Sequence, residues 1–165
     1  MPINFKDINK KIFTKENLLF FVIILITFFT DRYSKIEILD NLNDNVLYIN
    51  SFVNFDLTWN TGVGFGLLSF KSNLYYNLIS LIILAVIIFL VFVSLRSDKL
   101  DRIIFSIIIG GATGNFYDRV TFKAVPDFID LHYGNFHWFT FNVADIFITI
   151  GIIGLILREF FVKSN

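Results

Sequence analysis

The sequence predicts an all-α membrane protein: four transmembrane helices, a small outward-facing β-rich platform, and a short outer loop over a polar site. Three observations carry this. Of 165 residues, 55% are hydrophobic and 22 are phenylalanine, and the mean hydropathy of +0.67 is too high for an ordinary soluble domain. The apolar residues fall into four runs separated by polar segments. The basic residues gather beside one set of run ends, as they do on the cytoplasmic side of a membrane.

The first span, residues 17–38, is built on the run "LLFFVIILITFFT", Leu18 to Thr30. No small-residue cleavage site follows it; "DRYSK" does, so a cleavable signal peptide is not expected. The second span, 74–95, holds 22 residues without a charge, where a bilayer core needs about 20. The third, 103–118, is shorter and rich in small residues. The fourth, 141–162, has Arg158 and Glu159 near its far end. Lys6, Lys10, Lys11, Lys15, Arg96, Lys99, Arg102, Arg158 and Lys163 lie on one side, against Arg32, Lys35, Lys71, Arg119 and Lys123 on the other. Nine against five places both termini in the cytoplasm and turns segments 40–72 and 119–140 outward, all within a single domain spanning 1–165. In the first of these segments, "VLYINSFVNFDLTWNTGVGFG" mixes β-branched and aromatic residues with turn formers, which predicts short strands ending in a glycine-rich loop.

Composition also excludes chemistries. The formal net charge is zero, so nothing favours nucleic acid. Without cysteine there is no disulfide, thiolate ligand or cysteine nucleophile. Two histidines, His132 and His137, are too few for a convincing metal cluster, and no metal or other cofactor is expected.

The polar residues of the four spans come to one level near the outer interface. Asp31 and Lys35 are i and i+4 on one helix face and read most simply as a structural ion pair. Asn115, Asp118 and Arg119 share another face, where an arginine partner would keep Asp118 ionised. Gly110 and Gly114 form a small-xxx-small pair suited to close helix packing. Asn60 in "WNTG" has the makings of a turn residue, and His132, His137 and Trp138 of an interfacial surface. Two carboxylates resist such readings. Asp145, i+3 from Asn142, lies in apolar sequence without a cation four residues away, and Asp127 follows Pro126 between apolar neighbours. Brought together in a partly dry site, two carboxylates share one proton; one can then take a proton from water while the other donates to a carbonyl.

The stretches "TDRYSK", "WNTGVGFG", "GGATGNFYDRV" and "VPDFID…FNVAD" occur in an order and placement that resemble lipoprotein signal peptidase, the aspartic endopeptidase of bacterial inner membranes. The resemblance implies a catalytic pair at Asp127 and Asp145, with supporting positions at Asp31, Lys35, Asn60, Asn115, Arg119 and Asn142. It implies a prolipoprotein substrate whose cysteine already carries diacylglycerol, cut just before that cysteine by an activated water. It also implies a bacterial cytoplasmic membrane enzyme, active near the outer leaflet, with membrane lipid around it; the chain is expected to act as a monomer. Val63 and Gly64 stand where the family usually has alanines, Tyr33 and Ser34 replace more typical neighbours, and Pro126 replaces a valine; none removes a catalytic group. The rival reading is a small transporter or channel subunit using the same polar cluster as an ion path, which requires polar residues through both leaflets. The second and fourth spans turn uniformly apolar toward the inner side instead. A non-catalytic assembly protein leaves the two uncompensated carboxylates unexplained, and the GxGD signature of presenilin-type proteases is missing.

Overall fold

A computed structural model describes residues 14–42, 45–62 and 73–163. Along the chain run α1 (Lys15–Asn41), β1 (Leu47–Asn50), β2 (Val53–Asn60), α2 (Asn73–Ser94), α3 (Lys99–Phe122), β3 (Val125–Tyr133), β4 (Phe136–Phe141) and α4 (Val143–Lys163). The four helices coincide with the four apolar runs, with ends that differ by one to four residues. The glycine-rich loop expected over the site falls mostly at 63–72, outside the described residues.

Helix α1 begins on Thr14, whose hydroxyl accepts the Asn17 N–H at 3.1 Å, and α3 begins on Asp98, whose carboxylate accepts the N–H groups of Leu100 and Asp101. Helix α3 packs against α1, α2 and α4 and is the centre of the bundle. Its glycines decide how close the neighbours come. A Cβ at Gly110 would run into Thr27 of α1, and one at Gly114 into the Asp31 carboxylate, so the predicted small-residue pair does bring α1 and α3 together. At the opposite end Arg158 of α4 pairs with Asp98 and Asp101 of α3, and Arg102 donates to Asn17 of α1 at 2.7 Å.

Burial is inverted relative to a water-soluble bundle. Asp31, Lys35, Asp118 and Asn142 are fully covered, while Leu81, Phe89, Ile153 and Phe160 are exposed. Charged groups turned inward and large apolar side chains turned outward are what a hydrocarbon surround selects. Among the described residues one helix, Tyr76–Ser94, is long and apolar enough to cross a membrane by length and composition alone.

The strands form one antiparallel sheet in the order β1-β2-β3-β4. It is joined to the end of α1 by a cluster of Ile38, Leu42 and Phe128, with Phe55, Leu57, Ile129 and Val143 packed around it. The first two strands lie where short strands were expected. The β3–β4 hairpin occupies a segment expected only as outer loop; it turns at Gly134, whose φ of 59° suits glycine. His132 differs from its expected place at the surface. It is covered, with its ring stacked on His137 at 5.4 Å, because the strand register shifts between Leu131 and His132 and sets the two histidines opposite each other.

Candidate active site

Helix α1 presents Asp31 and Lys35 on one face, as their spacing requires. The Lys35 ammonium is wholly buried and donates to three oxygens: Asp31 Oδ2 at 2.9 Å, Asn115 Oδ1 at 2.8 Å and Asp118 Oδ2 at 2.7 Å. Arg32 completes this cluster by pairing with Asp118 Oδ1 at 2.6 Å. The expected pairing of Asp118 with Arg119 does not occur. Adjacent helical residues diverge by about 100°, so Asp118 turns toward α1 while Arg119 reaches the carbonyls of Asn115, at 3.2 Å, and Gly62, at 3.1 Å. Arg32 was not anticipated from sequence, since its partner lies on another helix.

The strands deliver the next two groups. In the β2–β3 ladder Phe55 pairs with Ile129 but Thr58 pairs with Asp127, so β2 carries one extra residue between them. Without that bulge Asn60 would fall on the opposite face from Asp127. With it, the two are diagonal neighbours, and Asn60 Nδ2 donates to Asp127 Oδ2 at 2.9 Å. The Asn60 oxygen is held in turn by the Gly62 N–H at 2.9 Å.

Helix α4 supplies the rest through its first turn. Asn142 caps it: its side-chain oxygen accepts the Asp145 N–H at 3.1 Å, and Asp145 Oδ2 accepts the Asn142 N–H at 3.2 Å. This is a reciprocal capping box with aspartate in the acidic position. The same Asn142 side chain donates to Asp127 Oδ1 at 2.6 Å, so one residue bonds both carboxylates. Asn115 Nδ2 donates to Asp145 Oδ1 at 2.8 Å, and Asp31 Oδ1 accepts the Ala144 N–H at 3.0 Å, docking α4 onto α1.

All eight residues singled out by sequence therefore join one network. Among the described residues Asp127 and Asp145 are served only by amides, with no cation in hydrogen-bond contact. Burial, reinforced by the charge of Asp145 and opposed by the Asn60 and Asn142 bonds, pushes the Asp127 carboxyl up to about 6. A carboxyl that binds a proton near neutrality, beside a second carboxylate, can exchange protons with water and a carbonyl. Asp130 stays outside the network. It is an odd number of residues from Asp127 along β3, so it leaves the opposite face, where its carboxylate meets His137 Nδ1 at 2.7 Å. Among the described residues no group of three or more His, Asp or Glu side chains is arranged to hold a metal ion.

A sequence model of the signal peptidase (SPase) II family matches residues 23–161. The lipoprotein signal peptidase of Pelagibacter ubique is 50% identical over 158 residues, covering 94% of this chain and 95% of its own. That of Thermodesulfovibrio yellowstonii is 37% identical, covering 88% and 94%. A solved bacterial membrane enzyme, determined by the in meso method at 2.3 Å resolution, superposes with a TM-score of 0.75 at 28% identity over 89% of this chain and 90% of that one. With a bilayer-adapted surface, a buried aspartate network and this likeness along nearly its whole length, the chain belongs to the signal peptidase II family of aspartic membrane proteases.

Proposed function

We propose that this enzyme removes signal peptides from diacylglyceryl-modified prolipoproteins, cutting just before the lipidated cysteine with Asp127, Asp145 and an activated water. The observation that carries the reading is the pair itself: two carboxylates from different elements, bridged by Asn142 and answered, among the described residues, by neutral amides alone. With one shared proton, the ionised member takes a proton from water as its oxygen attacks the scissile carbonyl carbon. The protonated member donates to the carbonyl oxygen, giving a tetrahedral diol. Collapse returns a diol proton to the second carboxylate, transfers the first carboxylate's proton to the leaving nitrogen, and breaks the C–N bond. Asn60, Asn115 and Asn142 orient the carboxylates, while Arg119 holds the backbone at Gly62 beside the site; Asp31 and Lys35 lock α1 to α3 and α4.

All four helices cross the cytoplasmic membrane with both termini inside, and the site sits near the outer leaflet. This reading draws on the lysine and arginine distribution together with the outward-facing apolar side chains. The substrate's lipid then holds the scissile bond at the depth of the pair, so much of the cost of positioning is met by the anchor. The chain is taken to act as a monomer.

Purified enzyme presented with diacylglyceryl-modified and unmodified prolipoprotein should cut only the first; equal cleavage of both would refute the lipid requirement. In intact cells a cysteine introduced at Asn135 should react with an impermeant reagent and one at Ser97 should not, and the reverse pattern would overturn the orientation.

A further inference from the structure

One residue, Asn115, joins the ionic cluster around Lys35 to the aspartate pair, and its amide is bound at both ends. An ammonium has three N–H donors and no acceptor. Lys35 spends all three on Asp31, Asn115 and Asp118, from a fully buried position. The Asn115 amide is thus fixed in one orientation, since a flip would point its NH2 at the ammonium. Its oxygen belongs to Lys35, and its NH2 is left for Asp145 Oδ1. A hydrogen bond to a charged group polarises the amide and strengthens the bond it makes next. The other Asp145 oxygen accepts the backbone N–H of Asn142, the cap of α4, and Asp145 lies in the first turn, where the helix dipole also favours an anion.

Asp127 has neither advantage. It lies on a strand, and its two amide donors, Asn60 and Asn142, have their own oxygens tied to backbone N–H groups rather than to a cation. Among the described residues the charged groups whose fields reach Asp145 are Lys35 and Asp31 from α1, Arg119 from α3 and Asp127 from β3, and the Lys35 field reaches Asp127 as well. Of these, only Lys35 is wired to it, through Asn115; Arg119 bonds carbonyls.

We propose that Lys35 is a positioning residue that acts through Asn115 to keep Asp145 the ionised member of the pair, so that Asp145 is the base toward water and Asp127 carries the shared proton. This rests on the dyad reading above and gives its two members distinct roles. Asp145 takes the water proton and later hands it to the leaving nitrogen; Asp127 protonates the carbonyl oxygen and recovers its proton when the diol collapses.

The pH profile of kcat/KM tests it. Asn115→Leu leaves Lys35 on its two carboxylates but removes the donor to Asp145. Lys35→Met combined with Asp118→Asn removes one cation and one anion together, so no lone buried charge is left. Each should move the acid limb of the profile upward by about one pH unit, a tenfold change in proton affinity. The two combined should move it no further, because they interrupt the same chain. Carboxyl 13C shifts, assigned by the signals lost in Asp127→Asn and Asp145→Asn, should show Asp145 ionising at lower pH than Asp127 in the wild-type enzyme. An unshifted acid limb in both variants, or Asp127 ionising first, overturns the relay and leaves the dyad standing. Cleavage retained by Asp127→Asn or Asp145→Asn removes the dyad and the relay with it.

Discussion

Two polar clusters are buried side by side, each with two carboxylates, and they differ in how their charges are answered. Around Lys35, two carboxylates, Asp31 and Asp118, meet two cations, Lys35 and Arg32. Around Asn142, two carboxylates, Asp127 and Asp145, meet amide groups only among the described residues. An ion pair fixes the protonation state of both partners and makes a carboxylate a poor proton acceptor. Amides hold a carboxylate in place without a full opposing charge, so burial still raises the proton affinity of Asp127 despite its amide bonds. The first arrangement suits a clamp between helices and the second suits proton transfer. On the dyad reading, charge compensation rather than burial separates the structural aspartates from the reactive ones.

The largest expected difference is chemical. Asp127→Asn and Asp145→Asn should each lower cleavage of lipidated substrate by at least ~10³-fold while leaving folded protein in the membrane, since asparagine keeps the volume but cannot accept a proton from water. The double variant should lose little more than either single one. Turnover within tenfold of wild type in either single variant would erase the contrast.

Lys35→Met should give the complementary result. It strands Asp31 and Asp118 with Arg32 alone in a dry setting, and breaking a buried pair costs about 3–5 kcal/mol. The expected outcome is a large fall in folded yield and in Tm. A normal Tm would show that the cluster is not a clamp.

Titration sharpens the comparison further. Asp127 has a folded-state value of about 6 against an ordinary 3.8, so between these values the folded enzyme binds the proton more strongly than the unfolded chain. Its contribution to stability therefore falls as pH rises from about 4 to 6 and is flat above that. The difference in Tm between Asp127→Asn and wild type should grow in favour of the variant across this window. On the activity side, kcat/KM should decline as pH rises past about 6 and the free enzyme loses the proton the pair must share. A Tm difference that does not change with pH would mean that Asp127 is not held at a cost.

Much of this was legible in the sequence because it is local. The apolar runs fix the helices, and i, i+3 and i, i+4 spacings placed Asp31 with Lys35, Asn115 with Asp118, and Asn142 with Asp145 on common faces. What stayed hidden depends on pairing between distant segments. The bulge in β2 that turns Asn60 toward Asp127 leaves no composition signal, because it is defined by the register with β3. Arg32 entered only the count of basic residues, and its partner Asp118 is 86 residues away. The β3 strand was missed because both of its faces are largely covered, which erases alternation; its Gly134–Asn135 turn was a usable hairpin signal. Family resemblance pointed to Asp127 and Asp145, and the geometry adds what answers their charge.

The smallest expected effect belongs to Asp130→Asn, which tests whether the contrast depends on burial. Asp130 is as deeply covered as Asp127, each about 3% exposed, and only three residues away in sequence. If burial of a carboxylate on β3 were enough for reactivity, the two would behave alike. They differ in face and in partner. Asp130 leaves the opposite side of the strand and bonds His137, whose side chain is 55% exposed, so water is close to its counterpart. Asparagine in its place still offers an oxygen to an imidazole N–H, and no proton relay is interrupted. Cleavage should stay within about twofold of wild type, and stability should change by no more than the ~1 kcal/mol of one hydrogen bond. Should Asp130→Asn instead abolish cleavage with the fold intact, the face of the strand would not separate reactive from structural carboxylates, and the site would have to extend through the sheet.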